Sequence, residues 1–429
     1  MSAMDGRQTA FRVLLRVEQE NAYSNLALDA ELKRSANGAP AAFVTALVYG
    51  VLERQITLDF VLQQYLLKPL RKLRPEVRVV LRMGVLQLYF MDKVPASAAV
   101  NESVKLVKKN GCAYASGLVN SVLRKISETP LTYPETGDLV SDWSIRYACP
   151  KALVEHFIKD YGESDAQGIL SASLSGAPTV LRVNTLKTTA KDLQNRLQTE
   201  GIETIPGALE NVLIVQKGGA LEQLSSYQEG LFHVQDTASM LCVQALELQP
   251  GQTLLDMCAA PGGKSFTAAE IMQNRGKILA FDLHEHRVRL IADGAKRLGI
   301  SIIDAHAQDA AAFHADLLKT ADRVLCDVPC SGLGVLRRKP EIRLRELTFI
   351  DNLTDIQYNI LVHASKYLRM GGLLVYSTCT LNRAENEGVC DRFLRENPAY
   401  QKDGDYKTLL PHKDGTDGFF IARLRRIEP

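Results

Sequence analysis

The sequence predicts an α/β domain on a mostly parallel sheet over residues 236–429, preceded by an all-α domain over 1–140 and a small α+β segment over 145–235. Three observations carry this reading. The chain has 429 residues, more than one hydrophobic core usually organises, so two or three domains are expected. Residues 1–130 place apolar side chains at helical spacing with few period-two runs. From Asp236 onward short apolar strands alternate with helices, which implies a parallel sheet covered on both faces.

Taken in order, Phe11–Val17, Phe43–Leu52 and Ser103–Lys109 read as amphipathic helices, punctuated by Pro69, Pro75 and Pro95. The run from Val79 to Phe90 is apolar on nearly all sides, as a central buried helix would be. Residues 130–145, with Pro130, Pro134 and Gly137, read as a linker. Next come a strand at Thr179–Asn184, a helix capped by Thr189 and running to about Glu200, and a second strand at Ile202–Ile205. In the last domain, strands are expected at Thr253–Met257, Lys277–Asp282, Arg323–Asp327 and Gly372–Ser377. Between the second and third strands, Val288, Ile291, Ala295 and Leu298 mark a helix that ends at Gly299.

Composition excludes several classes. Aromatic, Gly and Pro counts are ordinary, so collagenous and wholly disordered chains are out. No apolar run approaches the ~20 residues of a bilayer crossing, and the first thirty residues lack a signal peptide's apolar core. Eight cysteines are too sparse for a disulfide scaffold, so free thiols in a reducing cytoplasm are expected. Residues 1–140 carry 18 Lys+Arg against 13 Asp+Glu, and the remainder 33 against 36. This basic end suits a module facing a polyanion, although a solvated helical surface explains it as well.

Ligands of parallel sheets gather at the carboxyl ends of the strands, and each informative cluster falls at such an end. The run LDMCAAPGGKS (255–265) closes a strand and opens a helix through a loop of small residues. It lacks the spacing of a dinucleotide or phosphate loop. Asp282 closes the next strand, where it either accepts hydrogen bonds from a ribose diol or caps the following helix. Asp309 lies where a third strand should end, beside a purine edge or merely in a polar turn. Asp327-Val328-Pro329-Cys330 and Ser377-Thr378-Cys379 bring two cysteines to neighbouring strand ends. A lone cysteine is usually a small buried hydrophobe. Zinc is not expected, because Cys326 and Cys330 have the wrong spacing and nothing nearby completes a ligand set.

At these motifs the sequence resembles the S-adenosylmethionine-dependent RNA cytosine-C5 methyltransferases of the NOL/NOP/Sun family. The matching segments are LDMCAAPGGKS, DVPCSGLGVLRRKPEIR (327–343), YSTCTLNRAENEGV (376–389) and DGFFIARLRR (417–426), with VLRVNTLKT (180–188) and HVQDTASML (233–241) upstream. The resemblance implies a Rossmann-like class I methyltransferase domain. The helical N-terminus is similar, at pattern level, to the RNA-binding NusB fold, and that fusion is typical of the family's bacterial small-subunit branch. It implies small-subunit ribosomal RNA as substrate, with transfer RNA the runner-up; a cytoplasmic monomer without metal is expected.

The resemblance also assigns roles. Cytosine C5 is a poor nucleophile until a thiolate adds to C6, which is covalent catalysis by a readily ionised cysteine. Cys379 is the implied nucleophile and Cys330 assists product release. Asp327 bonds the cytosine edge, and also counts with the cofactor set, while Lys264 helps hold that geometry. The loop Cys258, Ala259, Ala260, Pro261, Gly262, Gly263, Lys264 holds the methionine part of S-adenosylmethionine, Asp282 the ribose hydroxyls, and Asp309 lies by the adenine. Arg337, Arg338, Lys339 and Arg343 are candidate contacts to RNA phosphates, as are Lys68, Arg71, Lys72, Arg74, Lys105, Lys108 and Lys109. Two departures stand out: Asn382-Arg383 replaces a frequent Pro-containing turn, and Cys390 ends a helix usually closed by an aliphatic residue. A non-catalytic RNA adapter predicts missing cysteines, which are present. A nicotinamide-dependent dehydrogenase predicts G-x-G-x-x-G, which is absent.

Overall fold

The computed structural model describes residues 3–20, 22, 24–34, 40–344 and 352–428. The chain divides into two compact units, Met1–Leu174 with Leu336–Arg345, and Ser175–Val335 with Glu346–Pro429.

The first unit is a helical bundle, as its periodicity predicts. The helix Pro75–Phe90 runs through its centre with Val77, Val80, Leu81, Met83 and Leu86 buried. Gly84 lets it approach helix Ser116–Ser127, because a Cβ there would stand 2.5 Å from Leu123 Cδ1. Arg82 is charged yet only 6% exposed, and it survives burial by meeting both Asp59 (2.6 Å) and Glu18 (3.0 Å). The helix Ala41–Tyr65 is long and apolar enough by composition alone to cross a membrane. Within the unit its Val44, Leu47, Val51, Leu58 and Leu62 belong to the bundle core instead.

Two sequence expectations change here. The stretch read as a linker ends in the helix Leu139–Arg146, capped by Asp138 accepting from Ser141 N. That helix and the next, Lys151–Ala172, lie in the first compact unit.

Arg343 is the second correction. It is 1% exposed, so it does not face phosphates as the basic run suggested. Its Nη1 donates to the carbonyls of Glu53, Tyr147 and Ala148, and its Nη2 to the carbonyl and hydroxyl of Ser173. Three of those carbonyls lie just past helix C-termini, where a cation satisfies orphan acceptors. Arg343→Ala should therefore destabilise the first unit by about 3 kcal/mol. The salt dependence of RNA binding by the folded fraction should be unchanged, whereas loss of a phosphate contact would lower that slope by about one.

The second unit holds two sheets. The smaller contains β1 (Val180–Val183), β2 (Glu203–Pro206), β3 (Val212–Lys217) and β4 (Phe232–Val234), in the order β2-β3-β1-β4 and antiparallel throughout. The expected strand–helix–strand is present, with Thr189 Oγ1 capping the helix Ala190–Thr199, and β3 and β4 extend it. Arg182 on β1 pairs with the buried Glu270 at 2.9 Å and so joins this sheet to the helix Gly263–Ile271.

The larger sheet contains β5 (Thr253–Asp256), β6 (Lys277–Asp282), β7 (Ile303–Ala307), β8 (Ala321–Asp327), β9 (Leu368–Thr378), β10 (Tyr400–Lys402), β11 (Lys407–Leu409) and β12 (Phe419–Arg426). Its order is β10-β12-β9-β8-β5-β6-β7, with β11 also pairing with β12. Strands β5 to β9 pair in parallel, and β12 closes the edge of β9 antiparallel. The chain winds from β5 through β6 to β7, then returns to place β8 on the other side of β5. The order thus reverses between β5 and β8, and a crevice opens at their carboxyl ends.

Candidate active site

Four strand ends converge on that crevice: Asp256 from β5, Asp282 from β6, Asp327 from β8 and Cys379 just beyond β9. The β8–β9 register pairs Asp327 with Ser377, so the loop carrying Cys330 and the loop carrying Cys379 leave the sheet side by side. Their sulfurs stand 3.3 Å apart. Both cysteines are only partly buried, unlike Cys112, Cys149, Cys242, Cys326 and Cys390, which behave as small core hydrophobes.

The carboxylate of Asp327 is fixed on both oxygens. Lys264 Nζ donates to Oδ2 at 2.6 Å and Ser377 Oγ to Oδ1 at 2.8 Å. Burial alone would drive the Lys264 proton off, but the negative charge of Asp327 outweighs it and raises the ammonium's proton affinity above its ordinary value. Lys264 also stands 5.3 Å over the Phe419 ring on β12. The Cys330 thiol is pushed well above the usual thiol range by its contact with Cys379, and then by burial and that sulfur's charge. Two thiolates at this separation repel, so the pair resists losing both protons and Cys330 keeps its own.

The loop after β5 is a tight passage from strand to helix. Ala259 N donates to Phe281 O on β6 at 2.7 Å, and Gly262 N to Ala259 O at 2.8 Å. Gly262 takes φ 107°, open to glycine but not to other L residues, and there starts the helix Gly263–Ile271. Cys258, Ala260, Gly263 and Lys264 line the same passage, and Arg287 anchors it by donating to Ala260 O at 3.0 Å. Asp256 is fully buried beneath it and accepts from Ser265 Oγ at 2.6 Å. Burial is the main cause that pushes its carboxyl up to about 7, with the Ser265 bond and Lys264 pulling the other way. The folded-state value lies above the ordinary ~3.9, so Asp256 contributes stability below pH ~4 and loses that contribution as pH rises through about 7. Asp256→Asn should thus flatten the fall in stability between about pH 4 and 7 relative to wild type, the difference in slope approaching about 1.4 kcal/mol per pH unit within that window and vanishing above it.

Asp282 is 3% exposed. Its Oδ2 lies 3.2 Å from Arg287 and its Oδ1 accepts from His284 N. Asp309 is exposed in the turn after β7, its carboxylate accepting from Ala311 N at 2.9 Å. Beside it the buried Gln308 Nε2 has no hydrogen-bond partner among the described residues. An unused donor there, acidic groups at two strand ends and a small-residue loop fit a nucleoside-bearing ligand.

Arg337, Arg338 and Lys339 fall in the segment that groups with the helical unit. The seven N-terminal basic candidates are all exposed, and Arg74 and Lys105 have carboxylate partners in Glu76 and Glu102. Cys390 does not end a helix but lies inside Glu387–Glu396, buried. The other departure, Asn382, is 3% exposed and donates to Glu385 Oε1 at 2.9 Å. Glu385 escaped the sequence reading. It is a fully buried carboxylate among the cysteine loops, and its only trace in the sequence is an acidic residue in a polar run.

Comparison with known proteins identifies the family of the chain. The family model "16S rRNA methyltransferase RsmB/F" matches residues 243–425, that of the NusB family residues 4–128, and that of the RsmF/B-like ferredoxin-like domain residues 149–222. A Bacillus subtilis protein described as a probable ribosomal RNA small subunit methyltransferase B is 36% identical over 440 residues, covering 98% of each chain. The ribosomal RNA small subunit methyltransferase B of Xylella fastidiosa strain 9a5c is 34% identical over 431 residues, covering 97% of this chain and 99% of that one. The crystal structure of NSun6 from Pyrococcus horikoshii with SFG superposes with a TM-score of 0.60 at 25% identity, over 65% of this chain and 99% of that chain. With a NusB domain, a Rossmann-like methyltransferase sheet and full-length identity of this order, the chain belongs to the ribosomal RNA small subunit methyltransferase B family.

Proposed function

We propose that this RNA methyltransferase transfers a methyl group from S-adenosylmethionine to C5 of a cytosine in 16S ribosomal RNA, through a covalent bond between Cys379 and C6. The observation that carries the proposal is the pair of sulfurs 3.3 Å apart beside a carboxylate fixed by Lys264 and Ser377. The relatives' names supply the ribosomal substrate, and SFG in the Pyrococcus structure is an analogue of the proposed donor.

S-adenosylmethionine, when bound, supplies an electrophilic methyl group. The residues to hold it are the loop Cys258–Lys264, with Asp282 at the ribose and Asp309 and Gln308 toward the purine. The target base must first leave its stack to enter the crevice. The Cys379 thiolate then adds to C6, and the C5–C6 electron pair shifts through C4 to N3, which takes a proton from water at the edge facing Asp327. C5 is now nucleophilic enough to take the methyl group, for which a carbon–sulfur bond of the sulfonium would break to leave a neutral thioether. Water takes the C5 proton, its electron pair returns to the C5–C6 bond as the Cys379 sulfur leaves as thiolate, and N3 gives its proton back to solvent. Cys330, held as a thiol, stands where it assists that last step.

The test is methylation of naked 16S RNA, assembled small subunits and bulk transfer RNA with radiolabelled S-adenosylmethionine, followed by nucleoside digestion. Label in 5-methylcytidine from ribosomal RNA is the expected result. Label in transfer RNA alone overturns the substrate, and label in another nucleoside overturns the reaction.

A further inference from the structure

Glu385 is acidic, buried and close to the cysteines, and none of the steps above uses it. Its carboxylate accepts four hydrogen bonds from three segments. On Oε2 the donors are Ser331 N at 2.9 Å and Gln357 Nε2 at 2.8 Å, and on Oε1 they are Asn382 Nδ2 at 2.9 Å and the Ser331 hydroxyl. Gln357 Nε2 also donates to Pro329 O at 2.9 Å, so the residues on both sides of Cys330 are tied to this one carboxylate. The Ser331 hydroxyl in turn accepts from Thr380, whose own oxygen accepts from Leu333 N. A relay of donors thus runs from the loop after Cys330, through the residue after Cys379, into Glu385.

The two loops depend on this carboxylate unequally. The Cys379 loop keeps other anchors: Thr378 Oγ1 to Asn386 Oδ1 at 2.6 Å, Asn386 Nδ2 to Thr380 O at 3.0 Å, and Tyr376 OH to the Glu385 carbonyl at 2.6 Å. The Cys330–Ser331 segment has the Glu385 side chain as its main tie. We propose that Glu385 is a positioning residue that holds Cys330 against the Cys379–base adduct, and so serves adduct release more than attack. This rests on the covalent reading given under Proposed function. Displacements of about 1 Å near reacting atoms cost on the order of 100-fold in rate.

The experiment uses the full chain with 16S RNA and radiolabelled S-adenosylmethionine. Glu385→Gln keeps the shape but turns one acceptor into a donor, and Ser331→Ala removes only the hydroxyl link. Both are compared with wild type for thermal midpoint, donor affinity by calorimetry, kcat, KM and the fraction of enzyme joined to RNA on a denaturing gel. Expected for Glu385→Gln are donor affinity and KM within about 2-fold of wild type, kcat lowered roughly 10- to 100-fold, and a joined fraction clearly above wild type. Ser331→Ala should move the same two readouts in the same direction by less. A purely structural role would lower the amount of active enzyme without raising the joined fraction. Wild-type kcat and joined fraction in folded Glu385→Gln, or a kcat loss with no rise in the joined fraction, overturn the assignment. If wild type itself forms no 5-methylcytidine, it is the reaction that fails, not the positioning role.

Discussion

Cys379→Ser should transfer no methyl group and form no covalent complex, while Cys330→Ala should leave the protein joined to its RNA in a band that survives denaturation. The thiol's ordinary pKa of ~8.5 makes an anion accessible near neutrality, whereas a serine hydroxyl at the same place offers no comparable nucleophile. Removing a covalent nucleophile costs roughly 10⁴-fold or more in turnover. Cys330→Ala acts on a different step. It leaves Cys379 and the Asp327–Lys264 pair in place, so attack and one methyl transfer proceed and release stalls. Label incorporated in a time course should therefore plateau near one methyl group per enzyme. If the two phenotypes exchanged places, the roles of the cysteines would be reversed while the covalent route stood. If neither variant trapped RNA and Cys379→Ser stayed active, the covalent route itself would be lost.

What the sequence makes legible follows from how local each signal is. Strands β5, β6, β8 and β9 announce themselves because a parallel strand buried on both faces must be a short apolar run. The cysteine pair is legible for the same reason, since each sulfur follows such a run by a fixed few residues. Strands β4, β10 and β11 have three residues apiece, too few for any periodicity to register. The grouping of residues 139–172 with the bundle depends on bonds across long sequence separations, such as Thr57 Oγ1 to Ile145 O and Arg343 to Ser173. Arg343 and Glu385 are the instructive failures. Each is a charged residue in a polar run, which by composition belongs to solvent. Each is instead buried because several distant carbonyls or donors converge on it, and only the folded chain brings those together.

Asp327→Asn and Lys264→Met should each cost about 3 kcal/mol of stability, and together less than the sum. The two side chains are 25% and 14% exposed and 2.6 Å apart, so deleting one leaves the other charge partly desolvated without its partner. Deleting both relieves part of that penalty, and a coupling energy of about 2 kcal/mol is expected from urea unfolding of the four proteins. Activity should not follow stability. Asp327→Asn removes the negative charge facing the protonated cytosine edge and turns one of its two acceptors into a donor, and should lower kcat by about 10²–10⁴-fold. Lys264→Met leaves that carboxylate held only by Ser377 and should cost less. The double variant should lose about 4 kcal/mol rather than the additive ~6, and turn over no faster than Asp327→Asn alone. Because the loss then tracks the carboxylate and not the fold, near-normal turnover in a folded Asp327→Asn protein would remove Asp327 from the chemistry and leave the Lys264 pair as a structural strut.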